Sequence, residues 1–132
     1  MLEPSFLFIQ FLTGLASASN LFLIACGLSL IFGVTRIVNF AHGSLYMLGA
    51  YFAVVTVEPL QEYLGHYIGF WVAVGTAALG AGLCGIFMEV LLLRRIYKAP
   101  ELFQLLATFG VVLVVQDLVI EVFGPEDILG PR

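Results

Sequence analysis

"PSFLFIQFLTGLASASNLFLIACGLSLIFGVT", Pro4 to Thr35, contains no Asp, Glu, Lys or Arg. A charge-free apolar run of about 18 residues or more reads as a membrane span. As one straight helix this stretch would measure ~48 Å, against a hydrocarbon core of about 30 Å. The reading therefore divides it into an entry segment near 5–15 and a span over 17–34. Outward along the chain, 37–57, 63–88 and 102–123 are three further spans. Asp117 and Glu121 interrupt the last of them near its end. The expected architecture is all-α and polytopic, with four transmembrane helices in one transmembrane domain over 1–132.

The totals agree with a lipid environment. Hydrophobic residues make up 61% of the chain and charged residues 11%, with a mean hydropathy of +1.09. A soluble domain of this size leaves too much of its area exposed to hide so much apolar surface. The net charge of −4 comes from acids at span ends and in loops, and no basic patch offers a nucleic-acid surface. Cys26 and Cys84 both lie in apolar stretches and read as small hydrophobes. The start, "MLEPSFLF", lacks the positive region of a cleavable signal peptide.

Orientation follows from the bases. Arg36 follows the first span, and Arg94, Arg95 and Lys98 follow the third, so four of the five bases share one side. The other side holds Glu3, Glu58, Glu62, Glu126 and Asp127, with Arg132 its only base. The positive-inside rule places the N-terminus outside and the two basic loops in the cytoplasm.

The third span carries a packing signal. Gly65, Gly69, Ala73, Ala77, Ala81 and Gly85 recur at every fourth position. Small side chains at that spacing let helix backbones approach closely, which drives association in lipid. A four-residue step overshoots a turn by ~40°, so the strip winds round its helix.

Polar residues gather at the start of the second span, in "IVNFAHGSLYMLGAY", Ile37 to Tyr51. On a continuous helix Asn39, His42 and Tyr46 share one face. Gly43 and Ser44 offer a place for a break, with Asn39 or Ser44 as an N-cap. Two readings stay open. One is a hydrated helix start with an interfacial histidine. The other is a transport path or subunit contact built from Asn39, His42, Gly43 and Tyr46, since polar groups at membrane depth face bundle interiors or wet cavities.

Several chemistries are absent from the pattern. The lone lysine, Lys98, follows Tyr97, so no phosphate-binding G-x-x-x-x-G-K-[ST] loop exists. No H-E-x-x-H and no G-x-S-x-G occur, and His42 and His66 fall on opposite sides of the expected topology. No catalytic set, metal site or cofactor of the chain's own is expected.

"GLSLIFGVTRIVNFAHGSLYMLGAY", Gly27 to Tyr51, resembles the first motif region of the high-affinity branched-chain amino acid ABC-transporter permeases. "NFAHG" followed by "YMLGAY" is its specific part. "LASASNLFLIACG" upstream and "MEVLLLRRIYKAP" and "LLATFGVVLVVQDL" downstream fit the same order of elements. The resemblance covers nearly the whole chain and implies the N-terminal part of an importer permease in a bacterial or archaeal cytoplasmic membrane. It implies partners too: a second, paralogous permease subunit, two cytoplasmic ATP-binding subunits that hold the ATP, and an extracytoplasmic solute-binding protein. Urea-importer permeases are similar around the same motif, so urea or an amide is an alternative cargo.

Family members are roughly twice as long, so the chain is expected to be a fragment or one half of a split gene, with too little wall for a gated path by itself. Two other functions compete. A self-contained four-span proton-coupled exporter needs a deep acid, for which Glu89 and Asp117 are the candidates. A non-transporting assembly subunit needs only the small-residue strip.

Overall fold

The computed structural model describes residues 3–125. Four long helices fill most of them: α1, Pro4–Thr35; α2, Ala41–Leu64; α3, His66–Ile96; and α4, Glu101–Phe123. Each is long and apolar enough to cross a bilayer. Glu126, Asp127 and Arg132, which entered the reading of orientation, lie outside the described residues. The chain divides into two compact units between Val38 and Asn39.

The first unit is α1 and the residues that end it. The expected break between 5–15 and 17–34 is absent, because the helix runs unbroken from Pro4 to Thr35. The polar residues in its middle do not compete with the backbone ladder. Thr13 and Ser19 turn their hydroxyls back to the carbonyls of Ile9 and Leu15, at 3.0 and 2.9 Å, which hides a hydroxyl inside the helix's own hydrogen bonding. Pro4 sits in the first turn, where its missing N–H costs nothing. The stop is local. Arg36 adopts a left-handed conformation with φ 55°, and its N–H donates to the Phe32 carbonyl at 2.8 Å.

The second unit is a bundle of α2, α3 and α4. Gly65, with φ 82° and ψ 158°, makes the whole turn between α2 and α3. A side chain strongly disfavours that backbone region, and glycine does not. Gly65 therefore belongs to the turn and not to the packing strip assigned to it from spacing.

Beyond the turn, the strip is the seam of an antiparallel hairpin. Gly69, Ala73 and Ala77 are buried, and Ala81 and Gly85 are half-buried. A Cβ on Gly69 would meet the backbone of Leu60 and Gln61, Ala81 stands beside Gly49, and Gly85 beside Leu45. The step of four from Ala81 to Gly85 along α3 is matched by a step of four back along α2, from Gly49 to Leu45. Thr56 and Thr76 meet across the seam with their hydroxyls 3.4 Å apart. The third member, α4, reaches α2 through Tyr51 and Phe123, stacked with ring centroids 4.9 Å apart.

Helix ends differ from the spans read by hydropathy. α2 starts at Ala41 instead of 37 and continues to Leu64, past Glu58 and Glu62. α3 passes Met88, opens into a π-helical turn over Glu89–Leu93, and resumes as α-helix over Arg94–Ile96. Charges end a hydropathy window, but they do not end a hydrogen-bond ladder. At 31 residues, α3 measures ~46 Å, so one end has to leave a ~30 Å hydrocarbon layer. Its basic end, Arg94 and Arg95, is the natural one to do so.

Candidate functional site

The start of α2 is built by Asn39. Its Oδ1 accepts the Ala41 N–H at 3.0 Å, and its carbonyl accepts the His42 N–H at 3.2 Å. Two of the first turn's otherwise unpaired donors are satisfied in this way. Asn39 is 2% exposed, so a buried amide and a capped helix start are the same feature. Asn39 precedes α2 and is not on its face.

The four candidate path residues consequently part company. Asn39 is buried in the cap, His42 is half-buried in the first turn, and Gly43 and Tyr46 are exposed. A Cβ on Gly43 would meet nothing within 4 Å, so no close backbone approach explains this glycine. His42 and Tyr46, four apart inside α2, share a face as spacing indicated, but Asn39 lies off it because the helix begins at Ala41 and not at Ile37. Ser44, one residue on, is buried at 5% exposure.

Ser44 and Ala41 open a groove of about 570 Å³ among α2, α3 and α4. Leu45 and Leu48 line it from α2, Cys84, Phe87, Met88 and Leu91 from α3, and Val111, Val115 and Leu118 from α4. Branched aliphatic side chains dominate, and no charged residue faces it. Its chemistry suits an apolar occupant that meets polar groups only where Ala41 and Ser44 begin α2.

At the same end of the bundle the α3–α4 corner carries a second polar set. Gln104 is buried, and its Nε2 donates to the carbonyls of Ile96, Ala99 and Tyr97, at 3.1, 2.9 and 3.4 Å. Thr108, fully buried, donates to the Gln104 carbonyl at 3.0 Å. The Tyr97 hydroxyl donates to Glu89, and Arg94 Nε lies 3.8 Å from the same carboxylate. Burial first, and then the Glu89 carboxylate, push the Tyr97 hydroxyl up to about 12, while the Arg94 charge pulls the other way. Reading by span missed Gln104 and Thr108. Their signal was two polar residues one turn apart at i and i+4 inside an apolar helix.

Asp117 and Glu121 are exposed on α4, and Glu89 is engaged by Tyr97 and Arg94. Among the described residues no group of three His, Cys, Asp or Glu side chains could hold a metal ion.

Comparison with known proteins gives the arrangement its context. The family model described as "Branched-chain amino acid transport system / permease component" matches residues 10–130. The high-affinity branched-chain amino acid transport system permease protein LivH of Escherichia coli K12 is 28% identical over 126 residues, covering 92% of this chain and 40% of the relative. Its Salmonella typhimurium counterpart is 27% identical over the same length and coverage. The permease protein BraD of Pseudomonas aeruginosa is 39% identical over 51 residues, 39% of this chain and 17% of the relative. No solved structure matches. The chain spans about two fifths of the length of the LivH proteins it matches. With four helices able to cross a bilayer and a match over most of its length, this is a multi-pass membrane protein that belongs to the permease-component family of branched-chain amino acid transport systems.

Proposed function

We propose that this chain supplies part of the membrane wall of an ABC importer for branched-chain amino acids. The observation that carries the reading is the apolar groove among α2, α3 and α4, opening beside the capped start of α2 where Asn39 and His42 sit. Aliphatic cargo fits aliphatic walls, and the names of the matching relatives point to the same cargo class. The chain performs no catalysis and holds no cofactor. ATP is bound by separate cytoplasmic subunits, a paralogous permease completes the path, and an extracytoplasmic binding protein delivers the amino acid. The N-terminus lies outside a bacterial or archaeal cytoplasmic membrane, with Arg36 and the Arg94–Lys98 corner inside, in line with the positive-inside rule.

The test is uptake of labelled leucine and of labelled urea into proteoliposomes holding the chain completed to the length of its relatives, with a paralogous permease, ATPase and binding protein. ATP-dependent leucine uptake is expected, with His42→Ala lowering it at least fivefold while the subunits still co-purify. Uptake of urea but not leucine would replace the cargo. Transport that persists without the ATPase would replace the mechanism with the proton-coupled alternative. Unchanged uptake by His42→Ala would remove that residue from the path.

A further inference from the structure

The π-helical turn in α3 and the polar contacts that bridge it depend on each other. A π turn accommodates one residue more than the α-helix around it, and one residue is ~100° of rotation for everything that follows. Glu89 opens the turn and Arg94 is the first residue beyond it. Both Tyr97 and Arg94 reach back across it to the same Glu89 oxygen.

Helical arithmetic explains why they can. Eight α-helical steps from Glu89 would leave Tyr97 roughly 80° away round the axis. With one residue absorbed in the π turn the separation is nearer seven steps, and the two fall within about 20° of each other. The Tyr97 contact therefore favours the π register, and the π register creates the contact.

Both sides of the turn are tied to something that matters. Met88, just before it, and Leu91, within it, line the groove. After it, Gln104 Nε2 holds the carbonyls of Ile96, Tyr97 and Ala99, so the end of α3 moves with the start of α4. Spread over three acceptors, the amide can pass from one carbonyl to another without losing all its bonds.

We propose that Glu89–Leu93 is a two-position register switch, latched by Tyr97 and Arg94 on Glu89. In the latched position Leu91 lines the groove. When the latch opens, the extra residue passes into the Tyr97–Pro100 turn, α3 becomes regular, and the segment beyond Glu89 rotates by roughly 100°. Leu91 then leaves the groove wall. The switch changes the width of the groove without unpacking the α2–α3 seam. It rests on the geometry of α3 and holds whatever the cargo is.

The test is pulsed dipolar spectroscopy on the whole chain in lipid nanodiscs, with Cys26→Ala and Cys84→Ala as background. Nitroxides are placed at the exposed positions Ala50→Cys on α2 and Arg95→Cys on α3. A major and a minor distance are expected, and Tyr97→Phe should raise the minor population at least threefold. Deleting Val90 removes the residue that has to be released, so that variant should show the major distance alone, with or without Tyr97→Phe. An unchanged distribution in Tyr97→Phe overturns the proposal, as does an equal response in the Val90 deletion. If the deletion variant does not retain its helicity, Tyr97→Phe against the parent decides alone.

Discussion

Gly69 packs so closely on the carbonyl of Leu60 that a Cβ added to the glycine would stand 2.5 Å from that oxygen. Neither side can yield cheaply, because both are backbone, held by their own helices at the mouth of the one-residue Gly65 turn. Gly69→Ala should therefore part the two helices there, at a cost of about 1–3 kcal/mol or more. Gly75→Ala is the control, since its Cβ would meet nothing within 4 Å, and alanine favours helix by ~1 kcal/mol. Thermal unfolding in detergent, followed by circular dichroism, should show a lower midpoint for Gly69→Ala and none for Gly75→Ala. Equal midpoints for Gly69→Ala and the parent would remove the seam's contact at that site.

Removal of the Asn39 amide should loosen one place only. Asn39→Ala leaves the Ala41 N–H without its acceptor, a loss of about 1 kcal/mol. Hydrogen–deuterium exchange should rise in the first turn of α2 and stay unchanged at Val57. Protection that is the same in both proteins would mean that the cap does not hold that turn.

Gln104→Glu is nearly isosteric but removes the amide that donates to three carbonyls. It also places a buried carboxylate against those oxygens, which forces either an uptake of a proton or a local opening. A loss of at least about 1–3 kcal/mol is expected, seen as a lower unfolding midpoint that partly recovers on acidification. Gln104→Glu with an unchanged midpoint at neutral pH would show that the corner does not depend on this amide.

The Tyr97 hydroxyl gives a pH signature. Its folded value, about 12, lies above the ordinary 10.0, so folding favours the neutral phenol. Stability from this group is complete below pH 10 and is lost as pH rises towards about 12 and through it. A difference absorbance titration of parent minus Tyr97→Phe should show phenolate forming near pH 12. Ionisation near pH 10 would mean that neither burial nor Glu89 acts on it.

Much of this architecture was legible in the residues. Three helices followed from charge-free runs and the fourth from an apolar run that carries Asp117 and Glu121. Gly69, Ala73 and Ala77 marked a close seam on α3, without naming its partner, because only small side chains serve one. Other features left no periodic trace. The unbroken α1 could not be told from two segments, because a bilayer limits what is buried in lipid and not what is hydrogen-bonded. Asn39 could be read either as a face residue or as an N-cap, and spacing could not choose between them; the structure takes the second, its Oδ1 accepting the Ala41 N–H. The π turn is hidden for a related reason. One extra residue in a stretch as uniformly apolar as "VLLL" (Val90–Leu93) disturbs no pattern.

The paired stepping of α2 and α3 also sets where this gene can change length. One codon gained or lost between Gly69 and Gly85 would shift every later residue of α3 by one against α2, putting Cys84 or Ile86 where Gly85 now sits. Past Gly85 there is no further small-residue contact to misalign, and there, four residues on, α3 carries its surplus residue. Tolerance of insertions should therefore change abruptly along a single helix, close to nil in the zipped part and appreciable just beyond its last link.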